Sequence, residues 1–309
     1  MTTAAPGTPR PSPFDAAQQA IDHTRRQLFP FRFERWLVLG CVAFLDQCGR
    51  RSGMGGFHFP GPGGWGSGAP GHGDVSKAVE WLATNALIVA AVAAAVLTAV
   101  IAFCAVVLWL NSRGVFMYVD NVASGRADFE RPWREHASRA ASYFAWSFGL
   151  ALATLVGLLL LGAAAVMAVV ALVGGPPGSG LTAGLGLGGI LVLFLALIVA
   201  AGLASLALRD FVAPLQIGAG VGCRDAMRIL LGLVRAHPGV FVVYVLLKIV
   251  LGMVAGIVLM VLACLTCCCA LLPVVMQTAL QPLFYFERAW SLFLLRQLGY
   301  DLMAGAAAH

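Results

Sequence analysis

Long apolar blocks broken by short arginine-rich stretches set the pattern of this chain. No charged residue lies between Glu80 and Arg113 or between Arg139 and Arg209, and only Lys248 interrupts the run from Arg235 to Glu287. A helix of about 20 apolar residues spans the hydrocarbon of a bilayer, so each block is long enough for one or two crossings. The first apolar stretch, 31–48, is short and carries Arg32, Glu34, Arg35 and Asp46 near its ends. It spans only if those charges snorkel to the headgroups. A Gly/Pro-rich loop at 49–74 separates it from an Ala/Val-rich helix at 81–110. The glycines and prolines of GGPPGSGLTAGLGLGG split the next block into helices at 141–173 and 185–208. The last block divides around 263–273 into 238–262 and 267–288. The expected fold class is therefore all-α, a polytopic bundle of six transmembrane helices.

Each basic stretch also carries a helical period of its own, and three cytoplasmic interfacial amphipathic helices are expected at 14–29, 128–139 and 222–236. In the first, Asp15, Gln18, Gln19, Asp22, Arg25 and Arg26 oppose Ala17, Ala20, Ile21 and Leu28. In the second, Arg131, Arg134 and Arg139 share a face opposite Trp133, Ala137 and Ala140. In the third, Arg224, Arg228 and Arg235 fall within about 40° of one another when plotted at the helical period. Such helices suit the headgroup layer, with anionic lipid as the expected partner of the six arginines. The chain then reads as three units, each an interfacial helix followed by a helical hairpin. Arg113 and Arg209 precede Arg139 and Arg235 by the same interval.

Composition agrees: 60% of the 309 residues are hydrophobic and 11% charged, against roughly 25% charged in an ordinary soluble domain. The arginines set the orientation, because cytoplasmic loops retain them. Arg10, Arg25, Arg26, Arg32 and Arg35 share a side with the segments after the second and fourth helices and with Arg288 and Arg296, whereas the opposite loops hold only Arg50, Arg51 and Lys77. Both termini are thus expected in the cytoplasm, with the chain in the inner membrane. Residues 1–13 read as a disordered tail without the apolar core of a cleavable signal.

The stretch APLQIGAGVGCRDAMRILLGLVRAHPGVFVVYVLL, with PFRFERWLVLGCVAFL and NSRGVFMYVDNVASGRADFERPWREH, resembles uncharacterised bacterial multi-pass membrane proteins related to the membrane domain of glycerophosphodiester phosphodiesterases. No catalytic domain accompanies it in this sequence. The resemblance therefore implies a membrane module and brings no enzymatic activity.

Chemistry is sparse. Gly218, Gly220 and Gly222 evoke a dinucleotide loop, but the third glycine comes one position early and Pro214 sits in the supposed strand. A hinge ahead of the third interfacial helix accounts for them. No histidine lies deep in an expected span: His136 and His237 fall at cytoplasmic ends, and His58 and His72 in the Gly-rich loop. Cys264, Cys267, Cys268 and Cys269 lack the companion ligands of a zinc site and read as small residues at a helix turn, with a disulfide to Cys48 as the alternative. No cofactor, metal or nucleic acid is expected. Lys248 is the one basic residue inside an expected span, where a charge is a functional hypothesis by default. It reads either as structural, snorkelling toward Glu287 or touching Gln277 and Gln281, or as part of an intramembrane polar site with those two glutamines. Accordingly the expected function is a non-catalytic multi-pass membrane module, and the alternative is a transporter or channel for a small solute or lipid using the groups around Lys248.

Overall fold

A computed structural model describes residues 11–48, 81, 84–174, 180–265 and 274–303. Residues 1–10, the Gly-rich loop 49–74, and Cys267, Cys268 and Cys269 lie outside the described residues. Every regular element among the described residues is helical.

Helix α1 (Pro13–Leu28) starts at Ser12, whose hydroxyl accepts the Asp15 amide, and stops at Phe29, ahead of Pro30. Helix α2 (Phe33–Gln47) carries Asp46 in its last turn. Helix α3 (Ala86–Ser124) continues for 39 residues and ends at Gly125, whose φ of 66° is left-handed. Helix α4 (Glu130–Glu135) is one short turn whose first amides, Glu130 and Arg131, donate to the Asp128 carboxylate. Helices α5 (Ala137–Gly174) and α6 (Gly180–Ala207) form the central hairpin. A π turn (Leu208–Val212) joins α6 to α7 (Ala213–Ala219), which ends on left-handed Gly220. Helices α8 (Cys223–Ala236), α9 (Pro238–Leu265), α10 (Val275–Ala279) and α11 (Gln281–Gln297) complete the order.

Among the described residues four helical stretches are long and apolar enough to cross a membrane: Ala86–Ser124, Ala137–Leu172, Gly184–Ala219 and Pro238–Val261. Their outer parts expose leucine, phenylalanine and methionine, among them Leu87, Phe103, Leu160, Met167, Leu185 and Met260. Toward the other end the same helices turn into a dense core. Leu39, Val115, Tyr118, Leu215, Leu292 and Leu294 are all fully buried there. The molecule thus has two layers, an open layer of apolar helices and a packed layer to which α1, α2, α10 and α11 belong.

Three sequence expectations change. The interfacial helix at 128–139 is divided at His136, which leaves the helical conformation. Arg131 and Arg134 stay on α4, while Arg139 lies in the first turn of α5. The span at 267–288 is divided as well, because its described part breaks at Leu280, one residue before the Gln281–Pro282 start of α11. In α1 the packed face is rotated from the expected one: Ala16, Ala20, His23, Thr24 and Leu28 are buried, whereas Ile21 is exposed. Hydrogen bonds make this possible. The Thr24 hydroxyl donates to the Ala20 carbonyl at 2.7 Å, and His23 Nε2 lies 3.1 Å from the Val122 carbonyl.

Candidate functional site

Where the open layer meets the packed one, six charged side chains converge. Asp46 stands at the end of α2 with no exposed surface, and Asn111 of α3 holds that end by donating to the Asp46 carbonyl at 2.6 Å and the Leu45 carbonyl at 3.2 Å. The Arg209 guanidinium grips the Asp46 carboxylate with two bonds, from Nε at 3.2 Å and from Nη2. Arg288 adds a third from Nη2 at 2.7 Å, while its Nη1 donates to the Arg209 carbonyl at 2.7 Å. Such forked contacts are the strong form of an ion pair, since donors and acceptors match in plane as well as in charge.

Lys248 lies beside this triad. Its Nζ is 2.9 Å from Asp210 Oδ2 and 3.0 Å from Glu287 Oε1, and it donates to the Tyr244 hydroxyl at 3.3 Å. That hydroxyl in turn donates to Asp210 at 3.0 Å. Further pairs close the network: Arg288 lies 3.8 Å from Asp210, and Arg209 lies 3.7 Å from Glu287. Three cations therefore meet three carboxylates, and the formal charge of the group is zero. The π turn has a part in this. Side chains adjacent on an α-helix diverge by about 100°, yet neighbouring Arg209 and Asp210 are both buried here within the turn.

The partners of Lys248 differ from those the sequence suggested. The two expected glutamines are engaged elsewhere: Gln277 accepts the Val274 amide at 3.1 Å, and Gln281 donates to the Tyr118 hydroxyl at 3.0 Å. Glu287, the expected snorkelling partner, does pair with Lys248. Sequence reasoning missed Asp46, Arg209, Asp210, Tyr244 and Arg288 as a site. Their available signal was two neighbouring opposite charges, Arg209–Asp210 and Glu287–Arg288, each at the end of an apolar block.

The six candidate lipid arginines do not gather into one patch. Arg131 pairs with Asp120 at 2.7 Å and Arg134 with Glu130 at 2.6 Å, while Arg139 Nη1 is 3.2 Å from His136 Nδ1. On α8, Arg224, Arg228 and Arg235 are exposed, opposite buried Cys223, Ala226 and Leu230. Burial pushes the Cys223 thiol up to about 11. At the other end of the packed layer, burial holds the His23 imidazole below its ordinary value, helped by the charges of Arg26 and Arg35 and opposed by the Val122 hydrogen bond. Among the described residues no His, Cys, Asp or Glu cluster is arranged to hold a metal ion.

A family model matches residues 12–306 and so takes in the whole charge network. The chain belongs to the DUF7544 family, a family of unknown function. No curated protein and no solved structure matches it. Nothing in these comparisons links the chain to the membrane domains of glycerophosphodiester phosphodiesterases. In this chain the network from Asp46 to Arg288 joins three cations to three carboxylates among the described residues.

Proposed function

We propose that the chain is a non-catalytic, multi-pass module of the cytoplasmic membrane, with both termini in the cytoplasm and with its buried charges serving to lock helices together. The mutual pairing of all six network charges carries this reading. A solute site needs a polar group that seeks a ligand, whereas here each cation already faces carboxylates at ion-pair distance. The network joins α2, the π turn, α9 and α11, which are far apart in sequence.

Six passages through the bilayer, with α2 as the first, are our reading; the arginine asymmetry of the sequence supports it, and four helical stretches among the described residues are long and apolar enough to cross. Helix α2 descends from Arg35, bonded to the Gly125 carbonyl, to Asp46, bonded to Asn111, antiparallel to α3. It therefore points toward the open layer, from whose far end α3 begins. Reporter fusions after Gly71 and Pro177 should read outside, and fusions after Arg126 and Gly222 cytoplasmic. A cytoplasmic signal at Gly71 would remove the first passage. The exposed arginines of α4 and α8 support contact with anionic headgroups on the cytoplasmic side.

The transporter alternative keeps one supporting observation, because Arg288 Nε and Gln281 Oε1 are buried without partners. A neutral double variant separates the readings. Lys248→Met with Glu287→Gln removes one charge of each sign, and it should fold and rescue a deletion strain scored by its lipid and metabolite profile. Normal folding with complete loss of rescue would replace the module by a transport site at Lys248.

A further inference from the structure

Arg113 of α3 is half-buried at the edge of the packed layer, and its charge lies outside the network. Its guanidinium carbon lies 5.6 Å from the Trp109 ring centroid and 5.3 Å from that of Trp133. Nη1 donates to the Trp133 carbonyl at 2.9 Å. Trp109 meets Trp133 edge-on with centroids 6.0 Å apart, and Phe129 stacks on Trp133 at 5.9 Å. Among the described residues no carboxylate lies within 4.0 Å of Arg113, whereas Arg209, Arg288 and Lys248 each have at least two.

The place of this nest along α3 matters as much as its charge. Val106 is still on the exposed apolar surface and Trp109 is 41% exposed, but Ser112 and Val115 are buried. Arg113 is half-buried at this step, beside a Phe129 that is 44% exposed. Indole rings favour the headgroup level of a bilayer, and a planar guanidinium matches two oxygens of a phosphodiester.

We infer that Arg113, Trp109 and Trp133 form a binding site for the phosphodiester group of an anionic membrane phospholipid. The inference rests on the membrane reading above. Trp133 holds one edge of the guanidinium through its carbonyl, the two indoles fix the plane, and the remaining N–H donors face a lipid phosphate. The acyl chains of that lipid follow the exposed side of α3 below Trp109.

Native mass spectrometry of the full chain in detergent, titrated with phosphatidylglycerol, tests the site. Arg113→Gln should weaken the tightest lipid-binding step by about tenfold, the scale of one lost charge-assisted hydrogen bond. Trp109→Leu, changed at an exposed ring, should fold normally and also weaken that step, which keeps the test open if Arg113→Gln folds poorly. Arg296→Gln, at an exposed arginine of α11 paired with Asp301, should leave it unchanged. An equal loss in Arg296→Gln would show diffuse charge attraction and overturn the site, as would unchanged binding in both Arg113→Gln and Trp109→Leu. Displacement of the lipid by millimolar inorganic phosphate would make a soluble anion the ligand, and would overturn the lipid assignment. Alkaline carbonate extraction of the same cells tells the two readings apart. Release of the chain into the soluble fraction sinks the membrane reading itself, whereas retention without Arg113-dependent lipid sinks only the site.

Discussion

Arg113 and Arg209 hold corresponding positions in successive helical hairpins, and they meet opposite fates. Each lies near the end of a long apolar helix, about three turns before a left-handed glycine, Gly125 or Gly220, that ends the rising segment. Arg288 repeats the arrangement ahead of Gly299, whose φ is 94°. Arg209 and Arg288 nevertheless converge on Asp46, whereas Arg113 faces two tryptophans. Position along a helix determines which layer a charge occupies, and the neighbouring helix decides whether it finds a counter-ion. Asp46 serves two of the three arginines, and no carboxylate among the described residues serves the third.

The largest test of that difference is Asp46→Asn. It leaves Arg209 and Arg288 buried without their shared acceptor, and breaking a buried pair in this way costs about 3–5 kcal/mol. Thermal unfolding in detergent should show the loss. A change below about 1 kcal/mol would mean that the arginines are solvated and that the network does not hold the helices. Lys248→Met comes next, since Asp210 keeps Arg288 as a neighbour at 3.8 Å and Glu287 keeps Arg209 at 3.7 Å. We expect a loss of about 2–3 kcal/mol, at or below the low end of that range. Much of it should return in the Lys248→Met, Glu287→Gln pair, with a coupling measurable in a double-mutant cycle.

The Arg113 side has a pH response of its own through His23, which bonds the carbonyl of Val122 on the same helix. Because the folded protein holds this imidazole below its ordinary 6.5, the unfolded chain takes up its proton first as pH falls. The contribution of neutral His23 to stability is thus complete above about pH 6.5 and declines below it, by up to about 1.4 kcal/mol per pH unit. Denaturation series at several pH values should show this slope, and His23→Gln should flatten it. Arg113→Gln should have the smallest effect on stability, about 1 kcal/mol for a half-buried cation–π contact. A loss as large as that of Asp46→Asn would erase the distinction between the two arginines.

Much of the layering was legible from charge-free blocks, because a helix that faces lipid has to be apolar along its length. Lys248 stood out for the same reason. Its partners did not, since periodicity gives the direction of a side chain around its own axis and nothing about which distant helix approaches. Asp46 looked like a charge that reaches for the headgroups, and only the meeting of α2 with the π turn and α11 turns it into a shared counter-ion. The face of α1 was misjudged because His23 and Thr24 count as polar in a helical plot. In the fold a backbone carbonyl satisfies each of them, and their apolar surface packs. The break at Leu280 had a visible cue in Pro282, overridden by the strong hydrophobicity around it.

Helix α3 passes through both layers without a break, and its 39 residues make a rod about 58 Å long. One third of that rod, from Ser112 to Ala123, is gripped by the core, while its other end is largely exposed among the described residues. In mechanical terms it is a cantilever, with a loose arm of about 40 Å beyond the grip. A tilt of about 5° at the grip would carry the far tip some 3 Å sideways. By the lever rule, a sideways force at the tip would be correspondingly multiplied at Asn111, where the rod holds the end of α2.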